Sequence, residues 1–112
     1  DVYKRQGHWW GQRVSGIALA LLGAWFVISL ATMDGFAYAD AVAFIRQSPN
    51  PVLLALLCIT MAYHSYLGVQ VVIEDYVHSH GLKLAALILS RFAHILFAAV
   101  GVYSILRLGI GS

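Results

Sequence analysis

Residues 51–73, PVLLALLCITMAYHSYLGVQVVI, decide the fold, because this stretch is apolar enough and long enough to cross a lipid bilayer. An α-helix rises ~1.5 Å per residue and bilayer hydrocarbon is ~30 Å thick, so about 20 residues are needed to span it. Two further stretches pass the same test, Val14–Met33 and Leu84–Leu106. The sequence therefore predicts an all-α integral membrane protein, with three transmembrane helices in an antiparallel up-down-up bundle.

The composition agrees with this prediction. Charged residues make up 11% of the 112 residues, whereas a soluble domain has about 25%, and the mean hydropathy is +0.79. The net charge of +2 gives no indication of a nucleic-acid partner. A chain of this length has room for one transmembrane domain, and three helices form a thin bundle that leaves polar groups without partners. We therefore expect companion subunits as well as membrane lipid.

The first six residues, DVYKRQ, are predicted to be non-native. They are the translation of GATGTGTATAAGAGACAG, the transposon end used in preparing sequencing libraries. The domain would then be residues 7–112, with a native sequence that starts at Gly7 and is itself truncated. The alternative is a genuine polar N-terminus.

The loops carry two local signals. In residues 34–50, apolar side chains recur at helical spacing and predict a short helix on the membrane surface: Tyr38, Val42 and Ile45. Asn50 is predicted to cap the second transmembrane helix, with Pro51 in its first turn. Residues 74–83 are predicted to form the second loop.

The middle of the second span carries the residues with the clearest chemistry. Gly68 follows His64 by one helical turn, and Asp75, eleven residues on, returns to within ~20° of the same face. A neutral imidazole can ligate haem iron, and a nearby glycine removes the side-chain bulk that would keep a flat porphyrin off the backbone. The alternative is that His64 forms an interhelical hydrogen bond and Gly68 is a close-packing site.

The pattern His64-x3-Gly68-x6-Asp75-Tyr76 on a second span resembles the small hydrophobic membrane anchor of succinate dehydrogenase, respiratory complex II. The stretch HWWGQRVSGIALALLGAWF is similar to the opening of the alphaproteobacterial members. The resemblance runs from Gly7 to the C-terminus. It implies a membrane anchor of succinate:ubiquinone oxidoreductase that is not catalytic alone. It also implies a multi-pass protein of the bacterial cytoplasmic (inner) membrane, with a cytoplasmic N-terminus.

The resemblance also implies roles for individual residues. His64 would be the axial ligand of haem b, which a companion cytochrome b anchor subunit shares and ligates with a second histidine. Tyr76 would hydrogen-bond a carbonyl oxygen of the substrate ubiquinone, with Asp75 as its acidic neighbour. Arg13 would lie near the haem propionates and the quinone pocket. An iron–sulfur subunit and a flavoprotein subunit are the further partners that the resemblance implies.

Two polar residues of the third span remain. Arg91 lies roughly 10 Å deep by helical rise, and a haem propionate would be a favourable partner for it. His64 and His94 lie ~14 Å and ~15 Å from the inner ends of their helices, so both could ligate one haem within this chain. We expect His94 instead to be a hydrogen-bonding residue of the bundle. His8, His78 and His80 are expected to be solvated surface histidines rather than a metal site.

Two alternatives to this function stay open from the sequence. A fumarate reductase anchor would run the flavin reaction in the opposite direction. A haem-free structural or transport-accessory bundle would use its polar residues within the membrane as an interhelical network: His64, Arg91 and His94.

Overall fold

The computed structural model describes residues 2–110 and has four helices, α1 (Val2–Ala31), α2 (Tyr38–Arg46), α3 (Asn50–Tyr76) and α4 (His80–Ile110). Three segments are long and apolar enough to cross a membrane: Gln6–Ala31 within α1, and the whole of α3 and α4. The described part of the chain contains no strand. The predicted all-α fold with three transmembrane helices is confirmed.

The N-terminal segment predicted to be non-native is only partly described. Asp1 lies outside the described residues, and residues 2–6 belong to the first turns of α1. A helical conformation fits a native or a foreign segment equally. Its origin therefore stays a prediction.

Each long helix is longer than the apolar stretch that predicted it, although α1 ends at Ala31, two residues before the predicted Met33. α3 runs on through Glu74 and Asp75 to Tyr76, and α4 begins at His80, so the second loop is residues 77–79 rather than 74–83. Hydropathy marks the part of a helix that lies in hydrocarbon, whereas the backbone hydrogen bonds of a helix can continue into the polar interface. The predicted loop was therefore too long, because the helices continue beyond their apolar stretches on both sides of it.

The first loop contains the predicted short helix, α2, which contacts the last turns of α1. The ring of Phe44 stacks on that of Trp25, with 6.0 Å between the centroids. The predicted cap is wrong, because Pro49 is the N-cap of α3 and Asn50 is already helical, although Pro51 does lie in the first turn. Asn50 Nδ2 instead donates to the backbone oxygen of Phe44 at 2.8 Å, which ties the end of α2 to the start of α3.

The middle helix, α3, holds the bundle together. It packs against α1 on one side and α4 on the other, whereas α1 and α4 do not pack against each other within residues 2–110. The buried hydrophobic side chains all belong to α3: Leu54, Leu57, Cys58, Ala62 and Leu67. Most apolar side chains of α1 and α4 therefore face outward, where lipid or companion helices would cover them.

Glycines bring α4 close to α3. A Cβ atom added to Gly101 would overlap Cys58 Sγ, and one added to Gly109 would lie 2.8 Å from Cγ of Pro51. Gly23 of α1 is different, because a Cβ atom there would meet nothing within 4 Å. Small residues allow close helix approach in membranes, so Gly101 and Gly109 set the distance between α3 and α4.

We expect Gly101→Ala to destabilise the detergent-solubilised chain by about 1–3 kcal/mol, because Cys58 has to move to admit the methyl group. Gly23→Ala is the matched control and should be neutral or stabilising by up to ~1 kcal/mol, from helix propensity alone. Unfolding midpoints in a denaturing-detergent titration would measure both. Equal midpoints for the two variants would contradict the assigned packing role.

Candidate functional site

His64 is fixed by a hydrogen bond to α1. Its Nδ1 lies 2.9 Å from Oγ of Ser15, which is only 6% exposed, and that hydroxyl donates to the backbone oxygen of Gln12 at 3.2 Å. We assign the Ser15 hydroxyl proton to the Gln12 carbonyl, which can only accept, and with that assignment Nδ1–H of His64 donates to Ser15 Oγ. Nε2 is then the unprotonated nitrogen. Among residues 2–110 it makes no hydrogen bond, so it is available to a ligand.

The α1 face that meets His64 is built from small residues. A Cβ atom at Gly16 would lie 3.4 Å from Cε1 of His64, and one at Gly11 would lie 2.5 Å from the hydroxyl of Tyr63. The imidazole therefore lies directly against the α1 backbone. The contacts of these glycines were not predicted from the sequence, although Gly11 and Ser15 have the four-residue spacing typical of close helix contacts in membranes.

Gly68 has a different environment from these two glycines. A Cβ atom there would meet only Gln12 Nε2, at 3.9 Å. Packing within this chain therefore does not require a glycine at this position, one turn from His64. In addition, Gln12 Oε1 is buried and has no hydrogen-bond partner within the described chain.

These features fit a b-type haem held at the surface of the chain. The site offers one neutral imidazole with a free Nε2 and, one turn along, a glycine at which an added Cβ atom would make only an ordinary contact with Gln12. A flat ring can approach a helix face that carries no side chain at this point. A second internal ligand would complete the set, and His94 is the candidate that the sequence raised.

His94 has both ring nitrogens engaged by the protein. Its Nδ1–H donates to the backbone oxygen of Ser90 at 2.8 Å, and its Nε2 lies 3.0 Å from Oγ of Ser65, which donates to it. The structure thus gives His94 the hydrogen-bonding role expected from the sequence. It lies between α3 and α4, whereas His64 faces α1, so the two histidines do not converge on one ligand site.

Arg91 contacts α3 on the side away from His64. Its Nε and Nη2 lie 3.3 Å and 3.2 Å from the hydroxyl of Tyr66. Tyr66 is two residues after His64, which is ~200° around the helix. The structure does not bring Arg91 to the free nitrogen of His64, and its pairing with a haem propionate stays a prediction.

Most of these polar contacts lie at one depth. Helix α3 pairs with α1 through His64 and Ser15, and with α4 through Ser65 and Tyr66. We call this set the polar layer: Ser15, His64, Ser65, Tyr66, Arg91 and His94. His64 is twelve residues from Tyr76, or ~18 Å by helical rise, so the polar layer lies near the middle of the span.

Arg13 lies closer to the polar layer than to Tyr76. It is exposed, with its guanidinium carbon 5.2 Å from the ring centroid of Trp9. Its neighbours on α1, His8 and Ser15, contact Leu67 and His64, so Arg13 lies level with that part of α3. Tyr76 is nine residues beyond Leu67, ~14 Å further along the axis. Arg13 was expected near both haem and quinone, and its depth favours the haem side.

Asp75 and Tyr76 occupy the last turn of α3. Because the helix continues unbroken from His64, Asp75 lies on nearly the same face as His64, as the spacing predicted. Both side chains are exposed, Tyr76 by 76%. The tyrosine hydroxyl is therefore free to meet a molecule at the membrane surface.

The remaining histidines do not converge. His8 Nε2 donates to the backbone oxygen of Leu67 at 3.3 Å, while His78 and His80 are exposed near the second loop. Over residues 2–110 no three histidine, cysteine or acidic side chains form a group that could hold a metal ion.

Comparison with known proteins gives a consistent result. The sequence profile of the succinate dehydrogenase/fumarate reductase transmembrane subunit family matches residues 4–102, which include α2, α3, nearly all of α1 and most of α4. The succinate dehydrogenase hydrophobic membrane anchor subunit of Rickettsia typhi is 33% identical over 90 residues, covering 80% of this chain and 71% of that one. The Paracoccus denitrificans subunit of the same name is 30% identical over 105 residues, covering 94% and 81%.

The succinate dehydrogenase membrane anchor subunit of Reclinomonas americana is 28% identical over 87 residues, covering 75% of this chain and 72% of its own. The family match at residues 4–102 includes the first two transmembrane segments, the residues around His64 and most of the third segment. With its three membrane-spanning helices, this chain belongs to the succinate dehydrogenase/fumarate reductase transmembrane subunit family.

Proposed function

We propose that this chain is the hydrophobic membrane anchor of succinate:ubiquinone oxidoreductase, helping to bind haem b and forming part of the ubiquinone-reduction site. The observation that carries the proposal is His64, which has one ring nitrogen held by Ser15 and the other free, in a chain of this family. Succinate oxidation is favoured over fumarate reduction because the three relatives above are all named succinate dehydrogenase subunits.

This chain would supply only one of the two protein ligands of the haem. His64 would hold the haem through Nε2, whereas both nitrogens of His94 are engaged within this chain. As the family resemblance implies, the second ligand would come from a companion cytochrome b anchor subunit, which would also cover part of the exposed apolar surface of α1 and α4. When bound, the haem supplies an electron reservoir between the two anchor subunits.

The chain's own residues would orient that group. Gly68 leaves room for the ring plane beside His64. Arg13 is a cation at nearly the same depth as His64, but it lies ~160° around α1 from Ser15, with its guanidinium over Trp9, so a propionate partner would have to meet it outside the α1–α3 contact. Arg91 would pair with a haem propionate only on the opposite side of α3, where it contacts the hydroxyl of Tyr66.

The quinone site lies at the end of α3 nearest the N-terminus of α1. Tyr76 would donate a hydrogen bond to a ubiquinone carbonyl oxygen and favour the proton uptake that accompanies reduction to ubiquinol. Asp75 would order the tyrosine or a neighbouring water. Arg13 would add positive potential from deeper in the membrane.

The proposed position of the quinone site implies an arrangement of the whole complex. Ubiquinone receives electrons from succinate through the flavoprotein and iron–sulfur subunits, so these would dock at the Tyr76 end of the bundle. That end carries the N-terminus of α1 and would face the cytoplasm in a bacterial inner membrane. Nothing in this chain oxidises succinate by itself.

We expect His64→Ala to abolish or shift the b-type haem signal, because the variant removes the free imidazole nitrogen. A dithionite-reduced minus oxidised spectrum of the chain co-expressed with its companion subunits would measure this. His78→Ala, at an exposed histidine outside the helices, is the control and should leave the spectrum unchanged. A wild-type complex that assembles without a b-type signal would refute the haem assignment.

We expect Tyr76→Phe to retain assembly and haem but to lower ubiquinone reduction about 10-fold, since one hydrogen bond is worth ~1–1.5 kcal/mol. Succinate-dependent ubiquinone reduction would be compared with electron transfer to a soluble artificial acceptor, which should be unchanged. Tyr103→Phe, an exposed tyrosine toward the other end of the bundle, is the matched control. Normal ubiquinone kinetics in Tyr76→Phe would remove this residue from the site.

A further inference from the structure

We infer that Ser15 is the positioning residue for the haem ligand His64: it fixes the ring orientation and the tautomer that leave Nε2 free for iron. This inference rests on the proposed function, because it assumes that His64 ligates haem. It adds Ser15 of α1, which was not predicted from the sequence, to the residues proposed for the haem site.

We assign one direction to the hydrogen-bond chain through Ser15. Nδ1–H of His64 donates to Ser15 Oγ, and Ser15 donates its own proton to the Gln12 carbonyl, which cannot donate in return. Ser15 is therefore an acceptor toward the imidazole. The proton is held on Nδ1, and the lone pair is left on Nε2.

The ring is also held by its surroundings. Ser15 is buried between α1 and α3, and the backbone at Gly16 lies against Cε1 of His64. A metal-bound histidine typically donates its other ring N–H to an oxygen that fixes its orientation, and Ser15 supplies that oxygen here.

His94 shows what a purely structural histidine looks like in this bundle. It lies at the same depth and also contacts serines, yet both of its nitrogens are paired within the chain. His64 has one nitrogen paired and one left open. An unpaired polar atom is costly in the membrane interior, so the free Nε2 of His64 indicates a partner from outside this chain.

The hydrogen bond has a consequence for redox chemistry. Donation from Nδ1–H to an oxygen raises the basicity of the imidazole as a ligand. A more basic ligand stabilises ferric over ferrous iron and so lowers the midpoint potential. Without the Ser15 hydroxyl the potential should rise, and the ring should be free to turn.

The test uses the whole complex with Ser15→Ala. We expect a more positive haem midpoint potential in a redox titration and an altered low-spin ferric EPR spectrum. Haem transfer to excess apomyoglobin should be about 10-fold faster, the low end of the loss usual for such supporting residues. Ser65→Ala is the matched control, because that serine adjoins His64 in sequence but bonds His94. It should leave these haem readouts unchanged.

An isosteric pair separates the hydroxyl from packing. Ser15→Thr and Ser15→Val add the same bulk, but only threonine keeps the hydroxyl, so threonine should restore the wild-type potential and valine should not. Equal potentials for Thr and Val, or a wild-type potential and haem retention in Ser15→Ala, would overturn the inference. Loss of assembly in both Ser15→Ala and Ser15→Thr would also overturn it, by assigning Ser15 a packing role.

His64→Ala distinguishes failure of this inference from failure of the proposed function. If His64→Ala keeps a normal b-type spectrum, the ligand assignment itself fails, and the role of Ser15 fails with it. If His64→Ala loses the signal while the Ser15 variants behave as wild type, the proposed function stands and only the positioning role is rejected.

Discussion

The hydrocarbon interior of a bilayer offers no water to a polar group, and the arrangement of this protein depends on that constraint. Backbone groups are satisfied inside the long helices α1, α3 and α4. Polar side chains in the middle of the span have to find partners across helices, and they do so in the polar layer. The contacts from α3 to Ser15 on one side and to His94 on the other join the three helices at one depth.

The side chains of the polar layer differ in how many of their polar atoms have a hydrogen-bond partner within the described chain. The proposed function rests on these differences. His94 is paired at both nitrogens and stabilises the α3–α4 contact. Arg91 contacts the neutral hydroxyl and ring of Tyr66, so its positive charge is not neutralised by these contacts. His64 keeps one nitrogen free, and Gln12 keeps a buried oxygen without a partner in the described chain. The free Nε2 of His64 and the unpaired oxygen of Gln12 both lie where α3 meets α1, so an external group would bind on that side of α3.

Helix α3 carries both proposed sites and sets their separation. His64, the proposed haem ligand, and Tyr76, the proposed quinone residue, are twelve residues apart on one continuous helix, ~18 Å by rise. A rigid helix keeps that distance and the near alignment of His64 with Asp75. Arg13, which the family resemblance associates with both sites, belongs by depth with His64. The chain thus provides a deep ligand and a surface hydrogen-bond donor on the same element.

The sequence by itself determined the spans, the short helix α2 and the spacing of His64, Gly68 and Asp75, because hydropathy and helical periodicity are local properties. It did not determine where helices end: α3 continues to Tyr76, and Asn50 bonds back to α2 instead of capping. Only the tertiary structure decided that Ser15 holds His64, that Arg91 meets Tyr66 and that Arg13 lies level with the polar layer. These facts depend on the register between helices, which packing at Gly11, Gly16 and Gly101 sets and which no single segment encodes.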